Sequence, residues 1–70
     1  MLIEITVTDV SEDIDAHGQF LATRNGECAV YQLQYIKKWS EKIKCSLNKP
    51  IKVEARKTGP AHYFVTYVLM

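Results

Sequence analysis

Residues 19–32 read Gln19-Phe20-Leu21-Ala22-Thr23-Arg24-Asn25-Gly26-Glu27-Cys28-Ala29-Val30-Tyr31-Gln32. Asn-Gly is the preferred central pair of a type I′ turn, because both turn residues need positive φ. Centring a hairpin there fixes its register, and the register can be judged by the pairs it makes. Arg24 falls opposite Glu27, Thr23 opposite Cys28, Ala22 opposite Ala29, Leu21 opposite Val30, Phe20 opposite Tyr31 and Gln19 opposite Gln32. Each pair matches in size or charge, as cross-strand neighbours should. The spacing therefore predicts strands over 19–24 and 27–32. One hairpin face carries Leu21, Thr23, Cys28 and Val30, compact groups suited to an interior. The other carries Phe20, Arg24 and Tyr31 beside the small Ala22 and Ala29.

Outward from the hairpin, residues 2–10 alternate: Ile3, Ile5 and Val7 against Glu4, Thr6 and Thr8, the period of a half-buried strand. Residues 11–18, SEDIDAHG, are acidic and poorly periodic, and read as a solvated loop or one helical turn capped by Ser11. Past the hairpin the period changes. In residues 33–45, Leu33, Ile36, Ser40 and Ile43 form a stripe flanked by Tyr35 and Trp39, with lysines elsewhere, which predicts a helix. It should stop near Leu47-Asn48, since Pro50 disfavours helical geometry at Lys49 and Asn48 tolerates the left-handed position. Residues 51–57 alternate again, 58–61 are a turn, and residues 62–69, HYFVTYVL, form a strand apolar on both faces and therefore central or covered. Tyr63 and Tyr67 share one face of it, and they, Tyr35 and Trp39 read as core packing.

The expected order is β-β-β-α-β-β in a single domain spanning 1–70: a small α+β, mostly β chain built as a five-stranded antiparallel barrel or curled sheet. This order resembles the OB-fold, a five-stranded Greek-key barrel whose helix lies between the third and fourth strands. In size and element order it is similar to the family of translation initiation factor one and the related S1 domains. Arg24-Asn25-Gly26-Glu27 takes the place of the hairpin turn there, 33–45 of the short helix and 50–70 of the last two strands. Asn48-Lys49-Pro50-Ile51 stands where that family has Gly-Asp before the fourth strand. A competing topology uses Ala22 and Gly26 as the spacing of a helix-turn-helix, with Val30-Tyr31-Gln32 opening a DNA-recognition helix. Asp15 to Gly18, however, offers no apolar stripe for its first helix.

Seventy residues, 47% hydrophobic and 24% charged, bury only a thin core, which a homodimer would extend. The broken apolar runs exclude a transmembrane helix, and MLIEITVTDV lacks the basic start of a signal peptide, so the expected location is cytoplasmic. Cys28 and Cys45, with no CxxC, are expected to be buried thiols. Asp13-Ile14-Asp15-Ala16-His17-Gly18 has acids and a glycine at calcium-loop positions, but the twelfth position, which needs a bidentate Glu, is Arg24. His17 and His62 have no metal-ligand spacing with either cysteine. With no phosphate-cradling glycine loop and no nucleophile–base pattern, neither an enzyme nor a cofactor is expected.

Charge is uneven. Glu4, Asp9, Glu12, Asp13, Asp15 and Glu27 face only Arg24 in residues 1–32. Residues 33–70 hold Lys37, Lys38, Lys42, Lys44, Lys49, Lys52, Arg56 and Lys57 against Glu41 and Glu54. Either the halves neutralise each other or the basic half makes a phosphate-binding face. The expected function is single-stranded DNA or RNA binding, with Phe20, Arg24 and Tyr31 as an outward stacking platform and Lys52, Arg56 and Lys57 as the electrostatic track; the opposite facing, with Phe20 and Tyr31 packed beneath the helix or inside the barrel, is the alternative for the hairpin. The alternative is a protein-interaction module, an accessory or inhibitor protein of a phage or plasmid, using a strand edge or the lysine-rich helix face.

Overall fold

Asn25 and Gly26 both adopt positive φ, 55° and 82°, and all six pairs of the hairpin form in the expected register. The computed structural model describes residues 1–10 and 13–69, with Asp13 described by its backbone alone. Its elements are β1 (Leu2–Asp9), α1 (Asp13–Ala16), β2 (Gln19–Arg24), β3 (Glu27–Leu33), α2 (Ile36–Lys44), β4 (Pro50–Gly59) and β5 (His62–Leu69). The strands close in the order β1-β2-β3-β5-β4, with β4 returning to β1. Closure leaves no open edge for another chain to extend. The chain is an OB-like α+β barrel.

One seam differs from an all-antiparallel barrel. β3 and β5 pair in parallel, from Val30↔His62 to Leu33↔Val65, while the other seams are antiparallel. The cause is connectivity. The chain leaves β3 through α2, crosses to β4, and the β4–β5 hairpin then sends β5 back along β3. This seam also shortens the helix relative to 33–45. Leu33 stays in β3 as a strand partner of Val65, and the Gln34 amide donates to the Val65 carbonyl at 2.8 Å, so helical geometry begins only at Ile36. α2 buries Trp39, Ser40 and Ile43, one face of a 3.6-residue period, and Asn48 takes the left-handed conformation beyond it at φ 63°.

The core comprises Ile3, Ile5 and Val7 of β1, Phe20 and Ala22 of β2, Ala29, Tyr31 and Leu33 of β3, Ile51, Val53 and Ala55 of β4, and Val65 and Val68 of β5. The hairpin faces are therefore the reverse of the outward-platform reading, and the alternative, with Phe20 and Tyr31 inside the barrel, is the one the fold adopts. Phe20 and Tyr31 point inward, Cys28 is exposed, and Leu21, Thr23 and Val30 are half-buried on the outer side. The reason is volume and area. An aromatic ring removes about 150–250 Å² from water, more than Thr23 or Cys28 could, and two rings fill a narrow five-stranded interior. Cys45 is exposed as well, so neither cysteine is a core thiol.

Tyr63 and Tyr67 do not share a face. Glu54 pairs with Tyr67 and Ala55 with Val65, so the ladder slips by one residue between them. Val65 and Val68, three apart, both point inward as a result, and Tyr67 turns outward opposite Glu54. Tyr35 is exposed too, whereas Trp39 is core as expected.

The acidic segment is one helical turn, and Ile14 within it is fully buried, so it is a plug and not a solvated loop. The Ser11 cap lies outside the described residues. Lys44 of α2 holds the turn from outside through Asp15 at 2.7 Å, and this hydrogen bond raises the Lys44 pKa above the ordinary lysine value. Residues 22–32, needed as helices by a helix-turn-helix, are strands and a turn.

Candidate nucleic-acid interface

Strand alternation decides where the basic side chains go. Phe20, Ala22 and Arg24 have one parity on β2, and Glu27, Ala29 and Tyr31 have the matching parity on β3. The inward row of this hairpin thus runs out of apolar residues at its tip, where Arg24 and Glu27 reach the barrel rim. Across the mouth, Lys57 pairs with Tyr63 on the β4–β5 hairpin, and Ala61 brings that turn onto β3 by accepting from the Val30 amide at 3.0 Å. Arg24, Glu27, Tyr31, Lys57 and Tyr63 consequently line one pocket of about 170 Å³.

Tyr31 occupies the floor of this pocket. Its ring is stacked between Phe20 (centroids 5.7 Å apart) and Tyr63 (4.9 Å), so both faces are covered. Its side chain is buried, and its hydroxyl has no hydrogen-bond partner among the described residues. Burial raises its pKa, helped by Tyr63 and Cys28 and opposed by the Arg24 guanidinium, so the phenol is a neutral donor near pH 7. An unpaired buried hydroxyl costs stability. Tyr31→Phe is therefore expected to raise the stability of the free protein by about 1 kcal/mol. Thermal unfolding measures this, and a lowered midpoint would show that the hydroxyl is already satisfied.

The outer side of the same hairpin carries a second feature. Arg56 pairs with Phe64, both of outward parity, and with Lys57, Thr66 and Gln34 they line an open groove of about 560 Å³. Lys57 borders both the groove and the mouth pocket. The N-terminal ammonium is ion-paired with Glu54 at the groove's far side.

Of the six residues expected to form a site, Arg24 and Lys57 meet at the mouth, and Arg56 joins Lys57 at the groove. Lys52 is exposed but lies opposite Glu4 of β1, which offsets its charge. Together with the Asp15–Lys44 pair, this shows the acidic and basic halves partly neutralising each other. Phe20 and Tyr31 are not an outward platform. A half-buried aromatic opposite Arg56 is Phe64, absent from the expected set. Its signal was the two-faced apolarity of HYFVTYVL, which here leaves one ring outside.

Elsewhere, Lys38 and Lys42 of α2 lie 4.9 and 5.4 Å from the Trp39 ring centroid, and Tyr67 meets Trp39 edge-on. These lysines cover apolar surface as well as carrying charge. No three His, Cys, Asp or Glu side chains come together among the described residues, and none of their helices is long and apolar enough to cross a membrane. Comparison with family models, curated proteins and solved structures finds no match to this chain. Its own geometry is that of an OB-like barrel whose mouth, framed by two hairpins, is lined by Arg24, Lys57 and Glu27, with an open groove beside Phe64.

Proposed function

We propose that this chain is a non-catalytic cytoplasmic module that binds single-stranded nucleic acid along the β4–β5 hairpin. The observation that carries this reading is the convergence of Arg24, Arg56 and Lys57 on adjoining cavities with the half-exposed Phe64 ring between strand partners. Cations lining adjoining cavities suit a polyanionic backbone, and Phe64 opposite Arg56 offers one base a stacking surface, worth about 1–3 kcal/mol. A stacking surface in an open groove of this kind suits a splayed single strand better than a duplex.

The test is fluorescence anisotropy with a labelled oligonucleotide at a series of salt concentrations. Affinity should fall linearly on a log–log plot, and each lost phosphate contact should flatten the slope by about 0.7 for a single strand. The double variant Arg56→Ala/Lys57→Ala is expected to lose about 1.4 in slope, and Phe64→Ala to weaken binding at every salt concentration. A folded double variant with unchanged slope and affinity would overturn the assignment.

A protein partner, a second copy of this chain included, is the second reading. It is favoured by the exposed Leu2, Tyr67 and Leu69 around Glu54 and Lys52 on the outer face of β1, β4 and β5. Aspartate at Leu2 and Leu69 would abolish such an association and leave oligonucleotide binding intact.

A further inference from the structure

We propose that the barrel mouth is a specific receptor for a phosphate monoester, the terminal phosphate of a bound strand or that of a free nucleotide. This deepens the nucleic-acid reading and rests on it for the strand-end source.

Three donor groups converge there without protein acceptors: the Arg24 guanidinium, the Lys57 ammonium and the Tyr31 hydroxyl. Among the described residues, neither cation has an ion pair and the hydroxyl has no hydrogen bond. Tyr31 decides the class of ligand. Because Phe20 and Tyr63 stack on its ring, Tyr31 offers no face to a base, and its hydroxyl lies buried and unpartnered beneath the pocket it lines. A buried donor flanked by two cations is matched by an oxyanion that accepts several hydrogen bonds at once, for which a terminal phosphate has three free oxygens. An internal phosphodiester has two and carries less charge.

The size is appropriate. A cavity on the order of 150 Å³ accommodates benzene, and the mouth measures about 170 Å³, enough for a phosphate group with the first atoms of its ester. Glu27 on the same rim sets a limit on the strength of the site. It repels the ligand, so Glu27→Gln should tighten binding. Both turns that frame the mouth are held in left-handed conformations, at Asn25, Gly26 and Ala61, so the donors sit on short constrained hairpins.

The experiment compares oligonucleotides of one sequence carrying a 5′-phosphate, a 3′-phosphate or hydroxyl ends, together with a nucleoside monophosphate and inorganic phosphate as competitors. Binding is read by anisotropy for the intact chain, Tyr31→Phe and Lys57→Ala, with thermal unfolding confirming that each variant folds. One phosphorylated end should bind about tenfold or more tightly than the hydroxyl-ended strand, the scale of an added charge-assisted bond. Tyr31→Phe should erase most of that preference and leave affinity for the hydroxyl-ended strand unchanged. Equal affinity for all three strands, with no competition by the monophosphate, overturns the receptor while strand binding stands. A monophosphate that binds in a Tyr31-dependent way while no strand binds supports the receptor and overturns the strand reading. Failure of every ligand to bind overturns both.

Discussion

Ile14→Ala is expected to lower the stability of the folded chain by about 2–5 kcal/mol, measured by urea denaturation. Ile14 is fully buried on a single helical turn whose Asp15 and Ala16 are exposed. Its removal leaves a cavity between α1, α2 and β2, and a four-residue helix has no other apolar anchor with which to close it. A domain of seventy residues holds on the order of 4–10 kcal/mol in total, so the loss removes a large fraction of its stability. Charge removal at the neighbouring Asp15 should have a much smaller effect, because its ion pair with Lys44 is exposed. An Ile14→Ala protein as stable as the parent would mean that the turn does not plug the barrel.

Gly18→Ala is expected to cost about 2–4 kcal/mol, from two additive sources. Gly18 sits at φ +71°, a region an L-residue enters at a cost of about 1–2 kcal/mol. A Cβ there would also lie 2.9 Å from the Ile36 side chain and 3.1 Å from the Leu33 carbonyl oxygen. Neither neighbour can retreat easily. Leu33 is fixed by donating its amide to the Gly18 carbonyl at 2.8 Å and by pairing with Val65. Gly26→Ala is the control. It has φ +82° but open space around the Cβ position, so only the conformational cost of about 1 kcal/mol should appear. Equal losses at the two glycines would show that close approach plays no part at Gly18.

What the sequence disclosed, and what it withheld, follow from the range over which each signal acts. Asn25-Gly26 dictates its own dihedral angles, and a two-residue turn leaves one register, so the six hairpin pairs were legible before any tertiary contact was known. The alternating Ile3, Ile5 and Val7, and Ile51, Val53 and Ala55, likewise identified the inner faces of β1 and β4, because their opposite faces are polar. The β2–β3 hairpin lacks that contrast. Both of its faces carry apolar residues, and which one turns inward depends on the volume left by the other strands and α1. Alternation groups Phe20, Tyr31 and Arg24 correctly on one face but carries no sign. The same limit hid Phe64, Tyr67 and the β5 bulge, since a slip in the ladder is set by the partner strand. Ile14 was obscured by its acidic neighbours, a single apolar side chain among them giving no period to detect.

For the candidate site, the cations were legible and the aromatics were not. Arg24 and Lys57 meet because two hairpin tips close over the same barrel end, and nothing in the spacing of residues 24 and 57 encodes that meeting. Turning Phe20 and Tyr31 inward moves the proposed stacking role to Phe64 and leaves Tyr31 with only its hydroxyl to offer.

Strand binding along the β4–β5 hairpin can be read residue by residue from amide chemical-shift changes while a short single-stranded oligonucleotide is added to the labelled protein. Changes should concentrate at Arg24, Arg56, Lys57 and Phe64 and around the Asn25-Gly26 and Pro60-Ala61 turns, with α2 and β1 undisturbed. Changes confined to the Lys37–Lys42 face of α2, or none at a strand concentration that saturates other single-strand binders, would contradict it.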